Sequence, residues 1–297
     1  MKLKQLSVAT VGAVSIVLAV VANAQAAILT NSGFNANTLA RNDDSSTGLV
    51  PIGFGINFFG TTYTSLYVNN NGNVTFNAPL GQYTPNGLNG DNGGRPIIAP
   101  FFADVDTRNP ASNEVTYGTD IVNGRQAFGV NYINVGYYNS QADKLNSFQL
   151  VLIDRSDVGA GNFDIQFNYD KIQWETGSAS DGINGFGGRS ARVGYSNGTG
   201  TPGTFFELSG SGAPGSFLDS NTGTGLIHNS IGSSLNGRDL FSVRNGNVTP
   251  APDPSAVPFE FSPGLGILAL GACGAVAQLK SKVQKLKFSV VSGEMEK

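Results

Sequence analysis

Phe163-Asp164-Ile165-Gln166-Phe167-Asn168-Tyr169-Asp170 alternates large apolar residues with polar ones at every step. Successive side chains leave a β-strand on opposite sides, so a period of two predicts a strand with one face buried. Just upstream, Phe148 to Ile153 is an apolar run broken only by Gln149. That pattern predicts a strand buried more fully. Asp154 to Asn162 joins the two and carries Gly159 and Gly161 as turn formers, so a hairpin is expected.

Working outward, the same signals recur. Leu66-Tyr67-Val68 and Val74-Thr75-Phe76 flank Asn69-Asn70-Asn71-Gly72. Val115 to Ile121 and Gln126 to Val135 flank Asn123-Gly124. Asn-Gly tolerates positive φ at both positions, as a tight type I′ hairpin turn demands. Ile97 to Ala103, Arg192 to Tyr195, Thr204 to Leu208 and Leu240 to Val243 read as further strands, and Ser209 to Ser216 as a loop. No window of a dozen residues here shows helical period. The expectation is an all-β fold, an antiparallel β-sandwich-like extracellular domain.

Composition agrees. Glycine stands at 40 of 297, roughly twice its usual share of about 7%, while 19 phenylalanines supply a core. The net charge is −3, and without Lys2, Lys4 and the lysine-rich C-terminal stretch the chain is more acidic still. Nucleic acid is not an expected partner, because phosphate recognition needs basic clusters. The single cysteine, Cys273, lies in an apolar C-terminal stretch, so no disulfide is expected in the domain.

Both ends carry targeting signals. Lys2 and Lys4 precede an apolar run from Leu6 to Ala22, and Ala22-Asn23-Ala24 has the small-x-small form of a cleavage site. Residues 1–24 are therefore expected to be a signal peptide. Residues 28–246 form the β domain, and the prolines from Pro250 to Pro258 make 247–257 a semi-rigid linker. Gly264 to Leu279 is apolar apart from Gln278, and Lys280, Lys282, Lys285 and Lys287 follow. One transmembrane helix with a cytoplasmic basic tail is expected within 258–287. A buried core helix with a basic end is the alternative.

Two family resemblances follow. Pro258-Phe259-Glu260, the apolar helix and the lysine cluster resemble, in their order, a PEP-CTERM-type sorting signal. The Glu after Pro-Phe departs from the commoner Pro-Glu-Pro. The resemblance implies an exosortase-type processing enzyme as a partner. Within the domain, Ala99-Pro100-Phe101-Phe102-Ala103-Asp104-Val105-Asp106-Thr107-Arg108 resembles the opening motif of nidogen-like domains. Further landmarks continue in order: Asn146 to Leu152, Ile172 to Gly177, Ala191 to Tyr195 and Phe205 to Leu208. In animals such domains occur in extracellular-matrix and mucin-type proteins, and no catalytic role is implied. The resemblance implies matrix or adhesive binding.

Several residues are site candidates. Asp104 and Asp106 alternate along a strand, and paired carboxylates hold Ca²⁺ when further oxygens converge. Asn109, Glu114 or the Asn69–Asn73 loop would supply those oxygens. Alternatively both aspartates bond backbone amides at a strand end. Tyr137 and Tyr138, and separately Trp174, are candidates for stacking on sugar rings, against packing in the core. Gly194-Tyr195-Ser196-Asn197-Gly198 matches G-x-S-x-G, with Asp219 and His228 following in hydrolase order. The glycine- and proline-rich stretch after Ser196 is a poor helix start, which weighs against a nucleophile elbow. The leading expectation is a non-enzymatic, exported surface or matrix protein. It would bind extracellular polysaccharide or a matrix protein and contact the membrane through its C-terminal helix. A Ca²⁺-dependent carbohydrate-binding module is the alternative, and a secreted serine hydrolase the remote one.

Overall fold

Fifteen strands organise residues 28–90 and 92–250, the part that the computed structural model describes. They are β1 (Asn37–Leu39), β2 (Val50–Phe58), β3 (Thr61–Asn69), β4 (Asn73–Thr75), β5 (Ile97–Phe102), β6 (Val105–Asp106), β7 (Val115–Val122) and β8 (Arg125–Tyr137). There follow β9 (Gln141–Asp154), β10 (Phe163–Lys171), β11 (Arg192–Ser196), β12 (Phe205–Glu207), β13 (Ser230–Ile231), β14 (Arg238–Arg244) and β15 (Asn247–Pro250). Only short 3-10 turns interrupt them, and none of the described residues is in an α-helix. None of the helices among the described residues is long and apolar enough to cross a membrane. The expected signal peptide with Ala22 and Ala24, the transmembrane segment and the Pro258-Phe259-Glu260 motif all lie outside the described residues.

The strands form two sheets. One runs β1-β7-β8-β9-β10-β14-β13, with β6 added to β8 and β15 to β14. The other runs β12-β11-β5-β4-β3-β2. Nearly every pairing is antiparallel, and β13 with β14 is parallel. The predicted hairpins form. β3 and β4 pair through Asn69 and Asn73, β9 and β10 through Asp154 and Phe163, and β7 and β8 through Val122 and Arg125. Asn123 and Gly124 adopt φ of 50° and 76°, as the type I′ reading requires.

The core lies between the sheets. Phe163, Ile165, Phe167 and Tyr169 of β10 share one apolar cluster with Ile56, Phe58, Val68, Val74 and Phe101 of the opposite sheet. Two hydroxyls stitch across it. Tyr132 donates to the Asn69 carbonyl at 2.7 Å, and Tyr169 donates to the Pro100 carbonyl at 2.8 Å. A buried phenol needs such a partner to avoid an unpaired polar group.

Two expectations need correction. The polar face of β10 was expected to meet solvent, yet Asp164, Gln166 and Asn168 are buried as well. Asp164 lies between Arg155 at 2.9 Å and Arg244 at 2.7 Å. Side-chain amides make a rung across neighbouring strands: Gln149 donates to Asn131 at 2.7 Å, and Asn168 donates to Gln149 at 2.8 Å. The chain entering at Leu29 closes over this rung, its amide and carbonyl both bonded to Gln149. Period two reports alternation, and satisfied amides can be buried on either face.

The second correction concerns the end of the domain. Asn247 to Pro250 was expected to start a linker, but it forms β15, which pairs with β14 from Arg244↔Asn247 to Phe241↔Pro250. Asn245 and Gly246 have φ of 51° and 81°. They make the same Asn-Gly hairpin turn as Asn123-Gly124. Pro250 is tolerated because β15 is an edge strand.

One buried acid in β14 sets a pH dependence. Asp239 is 4% exposed and accepts a hydrogen bond from the Ile231 amide at 2.9 Å. Burial pushes its carboxyl up to about 7 from 3.8. The folded state therefore holds this proton while the unfolded chain has released it. Stability contributed below pH 4 is lost as pH rises towards about 7. The expected loss from this group is roughly 2–4 kcal/mol. Urea titrations of wild type and Asp239→Asn between pH 4 and 8 check it. The variant keeps the acceptor oxygen and should show a shallower fall.

Candidate functional site

Loops from six parts of the chain meet at one end of the sandwich. The segment after β1 is tied down first. Asn42 exchanges hydrogen bonds with Thr107. Asn70 Nδ2 donates to the carbonyls of Asp43 and Val105, both at 2.6 Å. These ties bring Asp43 and Asp44 against the β5–β6 turn that carries Asp104. The Asp104 carbonyl is held by the Tyr138 amide at 3.2 Å. Asn71, in the β3–β4 turn, donates from Nδ2 to Asp44 at 2.8 Å and to the Gln82 carbonyl at 3.2 Å. Ser178 donates its amide to the Tyr138 carbonyl at 3.3 Å, and Ser180 and Thr84 share a hydroxyl contact at 2.8 Å.

The expected pairing of Asp104 with Asp106 does not form. One ligand atom from each of Asp43, Asp44 and Asp104 lies within 4.8 Å of the others. Asp106 is claimed by Arg108, whose Nε donates at 2.9 Å and Nη2 at 2.5 Å, and by the Ser140 amide at 2.7 Å. Strand alternation does not carry across the pair, because β6 begins only at Val105 and Asp104 belongs to the turn before it. Asn109 and Glu114 are spent on backbone groups at Ser140 and Arg41. Only Asn71, of the oxygen sources expected, borders the cluster.

The electrostatics differ sharply between neighbours. Burial would raise Asp106, but hydrogen bonds from Arg108 and Ser140 hold it below the usual carboxylate range. Asp104 is 1% exposed, and neither of its carboxylate oxygens has a hydrogen-bond partner. Burial, with the charges of Asp43, Asp44 and Asp106, pushes it up to about 8. Asp43 is pushed up to about 6, by burial first and then by Asp106 and Asp44. Gly177 packs so close that a Cβ there would stand 2.4 Å from Asp104 Oδ2.

The tyrosine pair is split. Tyr137 is buried against Trp174, with ring centroids 5.5 Å apart, and donates its hydroxyl to Asp143 at 2.8 Å. Tyr138 is half-buried, with the Arg108 guanidinium 5.7 Å from its ring centre. Adjacent residues at a strand end point to opposite sides, so they do not form a joint stacking platform. Trp174 is a core residue: it is fully buried, edge-on to Phe101 at 5.7 Å, and donates Nε1 to the Val135 carbonyl at 3.1 Å. The hydrolase pattern is likewise engaged elsewhere. Ser196 Oγ is buried and accepts from the Gly198 amide at 3.0 Å. The His228 ring meets the Asp219 backbone carbonyl at 2.8 Å, while the Asp219 carboxylate accepts from the Ile172 amide.

Sequence reasoning passed over Asp43 and Asp44, although they are the only adjacent pair of acidic residues in the chain. It also passed over the projecting turn Ile183–Phe186, where Ile183 is 77% and Phe186 51% exposed. Tyr83, exposed and next to Thr84, reaches the same end through the Thr84–Ser180 contact. A groove of about 670 Å³ is lined in part by Leu29, Asn35, Arg41, Asn131 and Ile133.

Comparison with known proteins adds family context. The family model for the nidogen-like domain matches residues 64–245. The alpha-tectorins of Mus musculus and Homo sapiens are each 36% identical over 191 residues, covering 57% of this chain and 8% of theirs. The nidogen of Drosophila melanogaster is 28% identical over 212 residues, covering 62% of this chain and 14% of that protein. The chain thus spans a small part of the length of these relatives. No solved structure matches it.

Proposed function

Because this chain belongs to the nidogen-like domain family, we propose that it works outside the cell as an adhesive, non-enzymatic protein. The observation that carries this reading is the family match across the sandwich. The loop end gives such a protein a place to meet its ligand. Ile183, Phe186 and Tyr83 expose apolar surface there, on loops held by backbone and hydroxyl bonds. Exposed apolar residues on a rigid support are the usual anchors of a recognition surface. The expected ligand class is extracellular polysaccharide or a matrix protein.

Export and retention belong to the same proposal. The charged, apolar and small-residue order of residues 1–24 supports a signal peptide. The Pro258-Phe259-Glu260 motif, apolar stretch and lysine cluster support sorting through an exosortase-type enzyme, with at least transient tethering to the membrane.

Two measurements test the reading. Intact cells displaying the full chain should bind their extracellular matrix, and Ile183→Asp with Phe186→Asp should cut that binding at least tenfold without changing the thermal midpoint by more than a few degrees. Equal adhesion by the double variant removes the loop end as the contact surface. Removal of residues 257–297 should release the protein to the medium. A truncated form that stays cell-bound contradicts the sorting part alone.

A further inference from the structure

We propose that Asp43, Asp44 and Asp104 form a site for a divalent cation of the calcium type, completed by the side-chain oxygen of Asn71. Three carboxylates close together would not suffice, since surface acids often cluster. The deciding feature is Asp104. Its side chain is 1% exposed, and both carboxylate oxygens lack any hydrogen-bond partner among the described residues. A buried, ionised carboxylate with no donor is among the most costly arrangements a fold can hold, and native proteins resolve it by protonation, a counter-charge or a metal; three carboxylates and an amide oxygen turned to one place favour the metal.

Neighbouring atoms share the same deficit. Asp43 Oδ2 pairs with Arg108 at 2.9 Å, while Asp43 Oδ1 is buried and unpartnered. Asn71 turns its Nδ2 to Asp44 and leaves Oδ1 buried and unpartnered. Arg108 offsets Asp104 only at a distance, because its guanidinium pairs directly with Asp43 and Asp106. The unpaired atoms are all oxygens, so the chemistry selects a hard cation. Carboxylates and an amide oxygen from separate loops suit the irregular coordination that Ca²⁺ accepts, whereas Mg²⁺ demands a near-ideal octahedron. The ion would add a clamp between the loop after β1 and the β3–β4 and β5–β6 turns, beside the bonds made by Asn70, Asn71 and Thr107.

This site is independent of the adhesive reading, since ion binding is read on the purified chain with no ligand present. The full chain in detergent is melted with EDTA, CaCl₂ or MgCl₂, and titrated with Tb³⁺ under tyrosine excitation. At a hundredfold excess over the dissociation constant, Ca²⁺ should raise the midpoint by about 5–10 °C. Mg²⁺ should raise it less. Asp104→Asn should abolish the shift and the Tb³⁺ emission while staying folded. Asp44→Asn, at a more accessible position, should weaken binding at least tenfold. Asp157→Asn, on the far β9–β10 turn, should behave as wild type. An unchanged wild-type midpoint, or an undiminished shift in Asp104→Asn, overturns the proposal.

Discussion

Trp174→Ala is expected to destabilise the domain by about 3–5 kcal/mol. The indole is fully buried and touches aromatic rings from both sheets, Phe101 on one side and Tyr137 on the other. Its removal takes away a large apolar area, leaves a cavity and orphans the Val135 carbonyl that Nε1 serves. For a domain of this size the loss corresponds to roughly 8–15 °C in the thermal midpoint. Trp174 is also the sole tryptophan of the chain. Its fluorescence in the wild type should be blue-shifted when native and move red in one step with unfolding. A midpoint that falls by less than about 3 °C in the alanine variant would place the indole outside the core.

Glu175→Ala should cost about as much, for a different reason. Glu175 is buried, and its carboxylate accepts from the Phe217 amide at 2.6 Å, the Gly215 amide at 2.5 Å and the Ser190 hydroxyl at 2.9 Å. Burial raises its pKa, and these bonds pull the other way. Truncation strands three donors in the interior, at roughly 1–3 kcal/mol each before relaxation. The expected net loss is about 3–5 kcal/mol. Glu175→Gln retains an acceptor oxygen and should lose roughly half as much. The side chain also fixes the glycine-serine loop from Ser209 to Ser216 through Gly215 and Phe217. Limited proteolysis should therefore cut that loop sooner in the alanine variant. Equal cleavage rates in the two proteins would mean that the loop is held by other bonds.

The two residues stand side by side in a stretch that read as a family landmark, yet their roles were not visible there. Trp174 fitted both a sugar-stacking surface and the core. Glu175 drew no functional reading at all. Strand alternation separates two faces but does not say what covers each one. For β10, both faces turned out to be covered, the second by side-chain amides and two arginines. Asn245-Gly246 shows a related limit. It carries the same turn chemistry as Asn123-Gly124, but the prolines after it suggested a linker, and the pairing of β15 with β14 overrode that suggestion.

By itself the sequence determined what is local: period-two strands, Asn-Gly hairpins, an all-β fold and the ordered landmarks of the nidogen-like domain. These depend on backbone preferences and on neighbours a few residues apart. Only the tertiary structure decided which oxygens share the loop end, because the bonds from Asn70 and Thr107 carry Asp43 and Asp44 to Asp104 across many residues of intervening chain. Spacing alone paired Asp104 with Asp106, but a salt bridge two residues further on took Asp106 away. Charge pairing depends on distance in space, and distance in space is set by how the sheets close.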